Sequence, residues 1–441
     1  MLITDLLKNQ PKEKVCLSCA NKQLTYGELD AQSSAMAKAA TFIKKGEKIF
    51  LQNSDPLQLI LCFFAIIKAG GICILASSKM PEKLTNRLMK KYDISRKILF
   101  SDFLTNTSHK CPTLNPENIF LGAMSSGSST GIPKIIFRDH QSWLAAFPWQ
   151  SKLFHIDKND TLYLIGELSY TANLNACIHA FFTGASVVIA PNRLPQTWLK
   201  EINAYSISAL FMVPAHYSIL LKVLSNPNNN ISSLVTGGAK INKTTVQQLH
   251  HYFPNASIVE YYGASELGHV SYADMHDLLT RPQSTGKIFP GVKIEIIDGL
   301  VWVESPYLVP SKRPKATAGD LGSLSTDGYL TLRGRKNGTV NIGGVKIQPE
   351  QIEYCLKEHP QIDDAAVFSL PDHLRGEKLI AAIVRKTDNI QTKDIIHFCR
   401  QNTGHYPQKI YFLPKLPLNN SGKVDKNLLR KIIMEASYEN N

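Results

Sequence analysis

The 441-residue chain is 44% hydrophobic and 19% charged, a balance that suits a globular protein of two or three cored domains and excludes a largely disordered one. Its formal charge is +13, but lysine and arginine are scattered, with only short runs such as Lys44-Lys45 and Lys90-Lys91, and no motif interleaves aromatic and basic residues. A nucleic-acid partner is therefore not expected; the excess charge instead favours the approach of small anions.

Met1-Leu2-Ile3-Thr4-Asp5 has no basic region ahead of an apolar segment, so no secretory leader is read and a cytoplasmic location is the expectation. Val15-Cys16-Leu17-Ser18-Cys19-Ala20 reads as an alternating strand. Its C-x-x-C pair has no second pair and no histidine at finger spacing, and the eight cysteines lie mostly in apolar runs, as reduced core thiols do. Residues 59–75 are the most apolar stretch, but Lys68 and Gly70-Gly71 interrupt it. That leaves it short of the roughly 18 to 20 residues of a membrane span, and it reads as a buried helix followed by a strand.

Strand-like runs follow at 185–190, 209–214 and 257–261, with helical patterns at 196–205 and 215–224. This alternation predicts an α/β fold with largely parallel sheets and a ligand site at the carboxyl ends of the strands. From about 280 to 334 shorter strands and Gly/Pro turns predict a β-rich subdomain. Beyond Gly334 the composition resets, with a helix expected at 349–358 and a strand at 365–368. The expected division is residues 1–334 as a large N-terminal α/β domain, and residues 335–441 as a small α+β C-terminal domain.

Ser126-Gly127-Ser128-Ser129-Thr130-Gly131-Ile132-Pro133-Lys134 concentrates hydroxyls, glycines and one lysine in a single turn. Small residues allow backbone N–H groups to approach phosphate oxygens, the hydroxyls add donors, and Lys134 adds a charge. It is not the nucleotide-kinase loop G-x-x-x-x-G-K-[ST], because Gly131 is followed by Ile132-Pro133-Lys134. By itself such a stretch is more often a linker or a mobile surface turn. Four further segments follow in order: Tyr262-Gly263-Ala264-Ser265-Glu266, then Gly319-Asp320, then Gly334-Arg335 with Gly343-Gly344, and finally Ser421-Gly422-Lys423.

Together these segments resemble the adenylate-forming superfamily, which includes acyl- and aryl-CoA synthetases, the adenylation domains of peptide synthetases and the beetle luciferases. The likeness is greatest to bacterial acyl-CoA synthetases, the fatty acid–CoA ligases, and runs from Leu24-Thr25-Tyr26-Gly27-Glu28-Leu29 to Lys423. The resemblance implies ATP, Mg²⁺ and CoA as ligands and a mobile C-terminal lid. It implies that Ser126, Gly127, Ser128, Ser129, Thr130, Gly131 and Lys134 hold phosphates. Glu266 would hold the metal, with Ser265 donating to a phosphate or to the substrate carboxylate. Tyr262 and Gly263 belong to the same motif. Asp320 would grip the ribose hydroxyls, and Arg335 would complete that end of the nucleotide. Gly237-Gly238-Ala239 is similar to the segment whose backbone lies along adenine, although a plain strand-ending turn accounts for it equally. Lys423 would contact the carboxylate and α-phosphate during adenylation, Asn337 stands at the hinge, and Gly343-Gly344 would approach pantetheine.

Three positions depart from the family pattern. Ser128 stands where relatives usually have glycine, Asn337, at the hinge, where they commonly carry Asp or Lys, and Tyr170 where a histidine is frequent. Tyr170 is expected in the acyl pocket. The leading expectation is activation of a carboxylic acid, fatty or otherwise apolar, to acyl-AMP and then acyl-CoA. Loading of a carrier-protein thiol is the nearest alternative, and an idle anion-binding scaffold is an alternative of another class.

Overall fold

The computed structural model describes residues 1–103, 110–125, 133–338, 340–342, 345–372, 376–387, 389–419 and 422–438. Local chemistry sets the first elements. Thr25 Oγ1 accepts from the Glu28 amide at 3.1 Å while Glu28 Oε2 accepts from the Thr25 amide at 2.8 Å, a reciprocal cap that starts helix Tyr26–Ala39. The buried Tyr26 hydroxyl donates to Ala185 O at 2.6 Å and ties this helix to the edge of strand Ser186–Ile189. The Leu24–Leu29 motif thus serves the fold.

Residues 59–75 form most of helix Pro56–Lys68 and strand Ile72–Ala76. Asp55 caps the helix by accepting from the Leu57 and Gln58 amides at 2.9 and 3.3 Å. Residues 59–67 are all buried, which is why the sequence carries no polar stripe there. No helix among the described residues is long and apolar enough to cross a membrane. Strand Val15–Cys19 departs from the expected alternation: Cys16, Leu17 and Ser18 are buried in succession, because both faces of the strand are covered.

A sheet of fourteen strands organises the large domain. At its centre Thr161–Leu164, Ala209–Met212, Ser233–Gly237 and Ser257–Ala264 run parallel. Ala209–Met212 and Ser233–Gly237 are buried at every position, as helices on both faces require. The β-rich segment is not a separate layer. Ser257–Ala264 pairs antiparallel with Gly268–Asp274, and the same sheet continues through Gly286–Ile288, Tyr329–Arg335, Asp320–Leu324, Leu300–Glu304 and Lys293–Ile297. A second sheet, ordered Arg96–Ile98, Lys48–Gln52, Ile72–Ala76, Ile119–Ser125, Lys134–Asp139, ends on the strand that follows Pro133.

The C-terminal residues build cores of their own around strands Ile362–Asp372, Gly376–Arg385 and Lys409–Phe412. Alternation divides the sheet cleanly. Ala365 and Val367 pack with Ile352, Leu356 and Ile395, whereas Ala366 and Phe368 pack with Leu429 and Ile433 of helix Lys426–Tyr438.

Candidate active site

A cavity of about 850 Å³ opens beyond the carboxyl ends of the central parallel strands, reached by Ile165, Val213, Gly237-Gly238 and Ser265-Glu266. Among the described residues, five cationic side chains line it, Lys91, Lys134, Arg138, Arg335 and Lys423, against the single carboxylate of Glu266. Such an imbalance around one concave site is suited to a polyanion.

Lys423 enters from the C-terminal domain on a closed turn. Its amide donates to Asn419 Oδ1 at 3.1 Å, its carbonyl accepts from the Asn419 amide at 2.7 Å, and Leu418 bridges to Val424. Gly422, at φ +75°, is seated where an added Cβ would meet His216 Nε2 and Val213 Cγ2 at 2.8 Å each, so the turn docks tightly on the large domain. The ammonium has no partner among the described residues. Burial, followed by the positive charge of Arg335, lowers its pKa. An unpaired, partly desolvated cation is poised to gain from an arriving anion.

The Lys423 side chain lies over Gly238, whose φ is +81° and whose added Cβ would stand 3.0 Å from Lys423 Cε. Gly238→Ala would force alanine into a left-handed conformation costing about 1–2 kcal/mol and displace the lysine. Adenylation is expected to fall about tenfold, measured as pyrophosphate release, with the fold intact by circular dichroism. An unchanged rate would mean that the lysine does not act from this seat.

Tyr262, Asp320 and Arg335 form one cluster. The Tyr262 hydroxyl donates to Asp320 Oδ2 at 2.5 Å and Arg335 Nε to Asp320 Oδ1 at 3.0 Å. Burial and the neighbouring carboxylate raise the Tyr262 pKa well above its ordinary value, so it stays a donor. Both Asp320 oxygens keep spare lone pairs for a diol. Asp320→Asn keeps the shape and removes the charge. It is expected to raise KM for ATP about 10- to 100-fold, the worth of one charge-assisted hydrogen bond, with a smaller effect on kcat. An unaltered KM would remove Asp320 from the nucleotide site.

Glu266 lies in the turn joining strands Ser257–Ala264 and Gly268–Asp274, and not at a helix start. Its carbonyl accepts from the Val309 amide at 3.1 Å, while its carboxylate makes no hydrogen bond or ion pair among the described residues and feels the charges of Arg138 and Arg335. Beneath this turn lies Arg138, which is 1% exposed. Arg138 donates to Ser265 O from Nε and Nη2 at 3.1 and 2.8 Å, and from Nη1 to Tyr307 O and Ser142 Oγ, both at 3.2 Å. Burial lowers its pKa to about 10, opposed by Asp139 and Glu266.

Of the sequence-predicted residues, Lys134, Tyr170, Gly237, Gly238, Gly263, Ser265, Glu266, Arg335 and Lys423 line the cavity. Tyr262 and Asp320 stand directly behind it through their bonds to one another and to Arg335. Ala239 does not join them: it is exposed and outside the lining, because the chain turns away after Gly238. Ser126, Gly127, Ser128, Ser129, Thr130 and Gly131 lie outside the described residues, as do Gly343 and Gly344. Asn337 falls in the one-turn helix Lys336–Gly338. Sequence reading missed Arg138, Lys91, Asn175 and His269, all cavity residues. Only Arg138 left a signal, a charge inside the otherwise apolar run Ile135-Ile136-Phe137.

Comparison with known proteins agrees with this geometry. Residues 101–301 match the family described as AMP-binding enzyme, and residues 351–423 match the AMP-binding enzyme C-terminal domain. An uncharacterized acyl-CoA ligase, YhfT, of Bacillus subtilis is 29% identical over 409 residues, covering 88% of this chain and 80% of that protein. A putative long chain fatty acid-CoA ligase, VraA, of Staphylococcus epidermidis is 27% identical, covering 96% of each chain. Among solved structures, ATP-bound MatB from Rhodopseudomonas palustris superposes with a TM-score of 0.84 at 19% identity, over 98% of this chain and 99% of that one. The o-succinylbenzoate CoA synthetase MenE of Bacillus subtilis superposes with a TM-score of 0.83 at 18% identity, over 97% of each. With both the large and the C-terminal parts matched, in the order and with the fold described above, the chain belongs to the AMP-binding enzyme family.

Proposed function

We propose that the protein is an AMP-forming acid–thiol ligase: it joins a carboxylate to the α-phosphate of ATP, releasing pyrophosphate, and then transfers the acyl group to the thiol of CoA. The observation that carries this reading is the Lys423 ammonium, which has no partner among the described residues and is held in the same cavity as Ser265, Glu266 and Arg335. In the first step a carboxylate oxygen attacks phosphorus and the phosphoric anhydride bond breaks. Two anions must therefore be brought together, and the developing charge needs fixed cations and donors. Lys423 supplies the cation between carboxylate and α-phosphate, Lys134 and the Ser/Gly-rich residues 126–131 before it would hold the departing phosphates, and Asp320 with Arg335 holds the ribose end. Ser265, its carbonyl pinned by Arg138, presents its hydroxyl to the reacting groups.

Glu266 fits a Mg²⁺ site of the kind in which one protein carboxylate joins phosphate oxygens and water. No cluster of three or more His, Cys, Asp or Glu side chains among the described residues offers an all-protein cage. The ion would supply charge neutralisation on the phosphates. For the second step, rotation about Asn337 would withdraw Lys423 and bring the Gly343-Gly344 segment to the CoA thiol. ATP and CoA as substrates suit a cytoplasmic enzyme.

The test is purified protein with Mg-ATP and a panel of fatty, short-chain and aromatic acids, with and without CoA, followed by pyrophosphate release and acyl-CoA mass. CoA-dependent product on one class of acid supports the ligase. Pyrophosphate release without acyl-CoA would redirect the acyl group to a carrier-protein thiol. No ATP use with any acid would count for a scaffold.

A further inference from the structure

The inner part of the same cavity is not the uniformly apolar wall that a plain alkyl chain would select. Asn175, on helix Thr171–Thr183, and His269, on strand Gly268–Asp274, both line it. Gln150, on helix Phe147–Phe154 and 2% exposed, joins them from behind, with its Nε2 at 2.8 Å from both Asn175 Oδ1 and His269 Nε2. An amide nitrogen only donates, so both neighbours accept. His269 must then carry its proton on Nδ1. Exchanging the Gln150 amide would bury an unpartnered NH₂, whereas the present arrangement leaves only the carbonyl Oε1 without a partner, and an orphaned carbonyl is the better tolerated of the two.

The relay leaves two donors uncommitted, the Asn175 Nδ2 and the His269 Nδ1–H, neither with a partner among the described residues. The imidazole stays neutral: burial first, then the charge of Arg138, lowers its pKa to about 3. It packs against Tyr261 and Phe289 at ring separations of 4.8 and 5.0 Å, so its orientation is fixed and the donor is held in place. A saturated chain lying here would strip water from both donors and return nothing, whereas an oxygen acceptor on the substrate would satisfy them.

We propose that Asn175 and His269, set by Gln150, form a specificity site for a carboxylic acid that bears a neutral oxygen acceptor, a hydroxyl or a keto group, along its chain or ring. This names the substrate class of the ligase reading and rests on it. It also turns the expectation of a plain fatty acid toward an oxygenated one.

The experiment compares matched acids, each with a hydroxyl or keto oxygen at successive positions, against the analogue carrying a methylene there. Pyrophosphate release is measured, and so is binding of each acid by calorimetry in the presence of an α,β-methylene analogue of ATP. At one position the oxygenated acid is expected to be favoured at least tenfold, in kcat/KM and in affinity, about the worth of one neutral hydrogen bond that the methylene analogue leaves unmade. His269→Phe, which keeps ring bulk, and Asn175→Leu are each expected to bring that ratio toward one, mainly through KM. Turnover in which every methylene acid equals or exceeds its oxygenated partner would overturn the specificity site and leave the ligase reading standing. Oxygen-dependent binding without pyrophosphate release would support the site and sink the ligase. No binding of any acid would overturn both.

Discussion

Lys423→Ala is expected to lower acyl-adenylate formation by about 10²–10³-fold, the usual cost of removing one preorganised group from a developing charge, while thiolysis of preformed acyl-adenylate is nearly unchanged. The asymmetry follows from the geometry. The lysine rides on a turn of the C-terminal domain, docked between Val213, His216 and Gly238 of the large domain, and has no other partner among the described residues to lose. Its loss therefore leaves the fold intact and removes one cation from the first step only. Equal loss of both half-reactions would contradict the assignment.

The same residue sets a pH signature. In the proposed role the ammonium is the active form, and burial together with Arg335 lowers its pKa from 10.5. Adenylation should thus decline as pH rises through a value below that of an ordinary lysine, and the thiol step should not follow it. Lys423→Arg, charged throughout that range, should lose this alkaline limb even where its absolute rate is lower. An alkaline limb retained in Lys423→Arg would assign the titration to another group.

Arg138→Met is the second large effect. The guanidinium is buried and carries both carbonyls that hold the Ser265-Glu266 turn against Tyr307. Methionine fills similar volume but strands Ser265 O and Tyr307 O. Their lost bonds predict about 2–4 kcal/mol of destabilisation, seen as a lower denaturation midpoint. Because that turn carries the carboxylate proposed to hold the metal and the Ser265 hydroxyl, kcat for adenylation should fall about tenfold or more in the molecules that remain folded. Arg138→Lys keeps the charge but not the forked geometry and should recover stability only in part. A midpoint and a kcat both equal to the parent would show that the turn is held by other contacts.

Much of the fold was legible because its signals are local. The apolar run that became Pro56–Lys68 and Ile72–Ala76, and the short apolar run read as a strand at 365–368, each depend on a few neighbouring residues. The joining of the β-rich segment to the parallel sheet was not legible, since it rests on the pairing of Gly286–Ile288 with Tyr329–Arg335, strands far apart in sequence. The covered faces of Val15–Cys19 were missed for the same reason.

The candidate site divides along the same line. Residue types and their order alone determined that the chain carries hydroxyl-rich, glycine-rich and acidic motifs suited to a nucleotide, with a lysine at the far end. Only the tertiary structure decided that Lys423 meets Gly238, that Asp320 is held between Tyr262 and Arg335, and that Asn175, Gln150 and His269 form one polar relay. The physical reason is separation along the chain. A motif's chemistry is written in adjacent side chains, whereas a pocket wall is assembled from helices and strands that burial, and not sequence proximity, brings together.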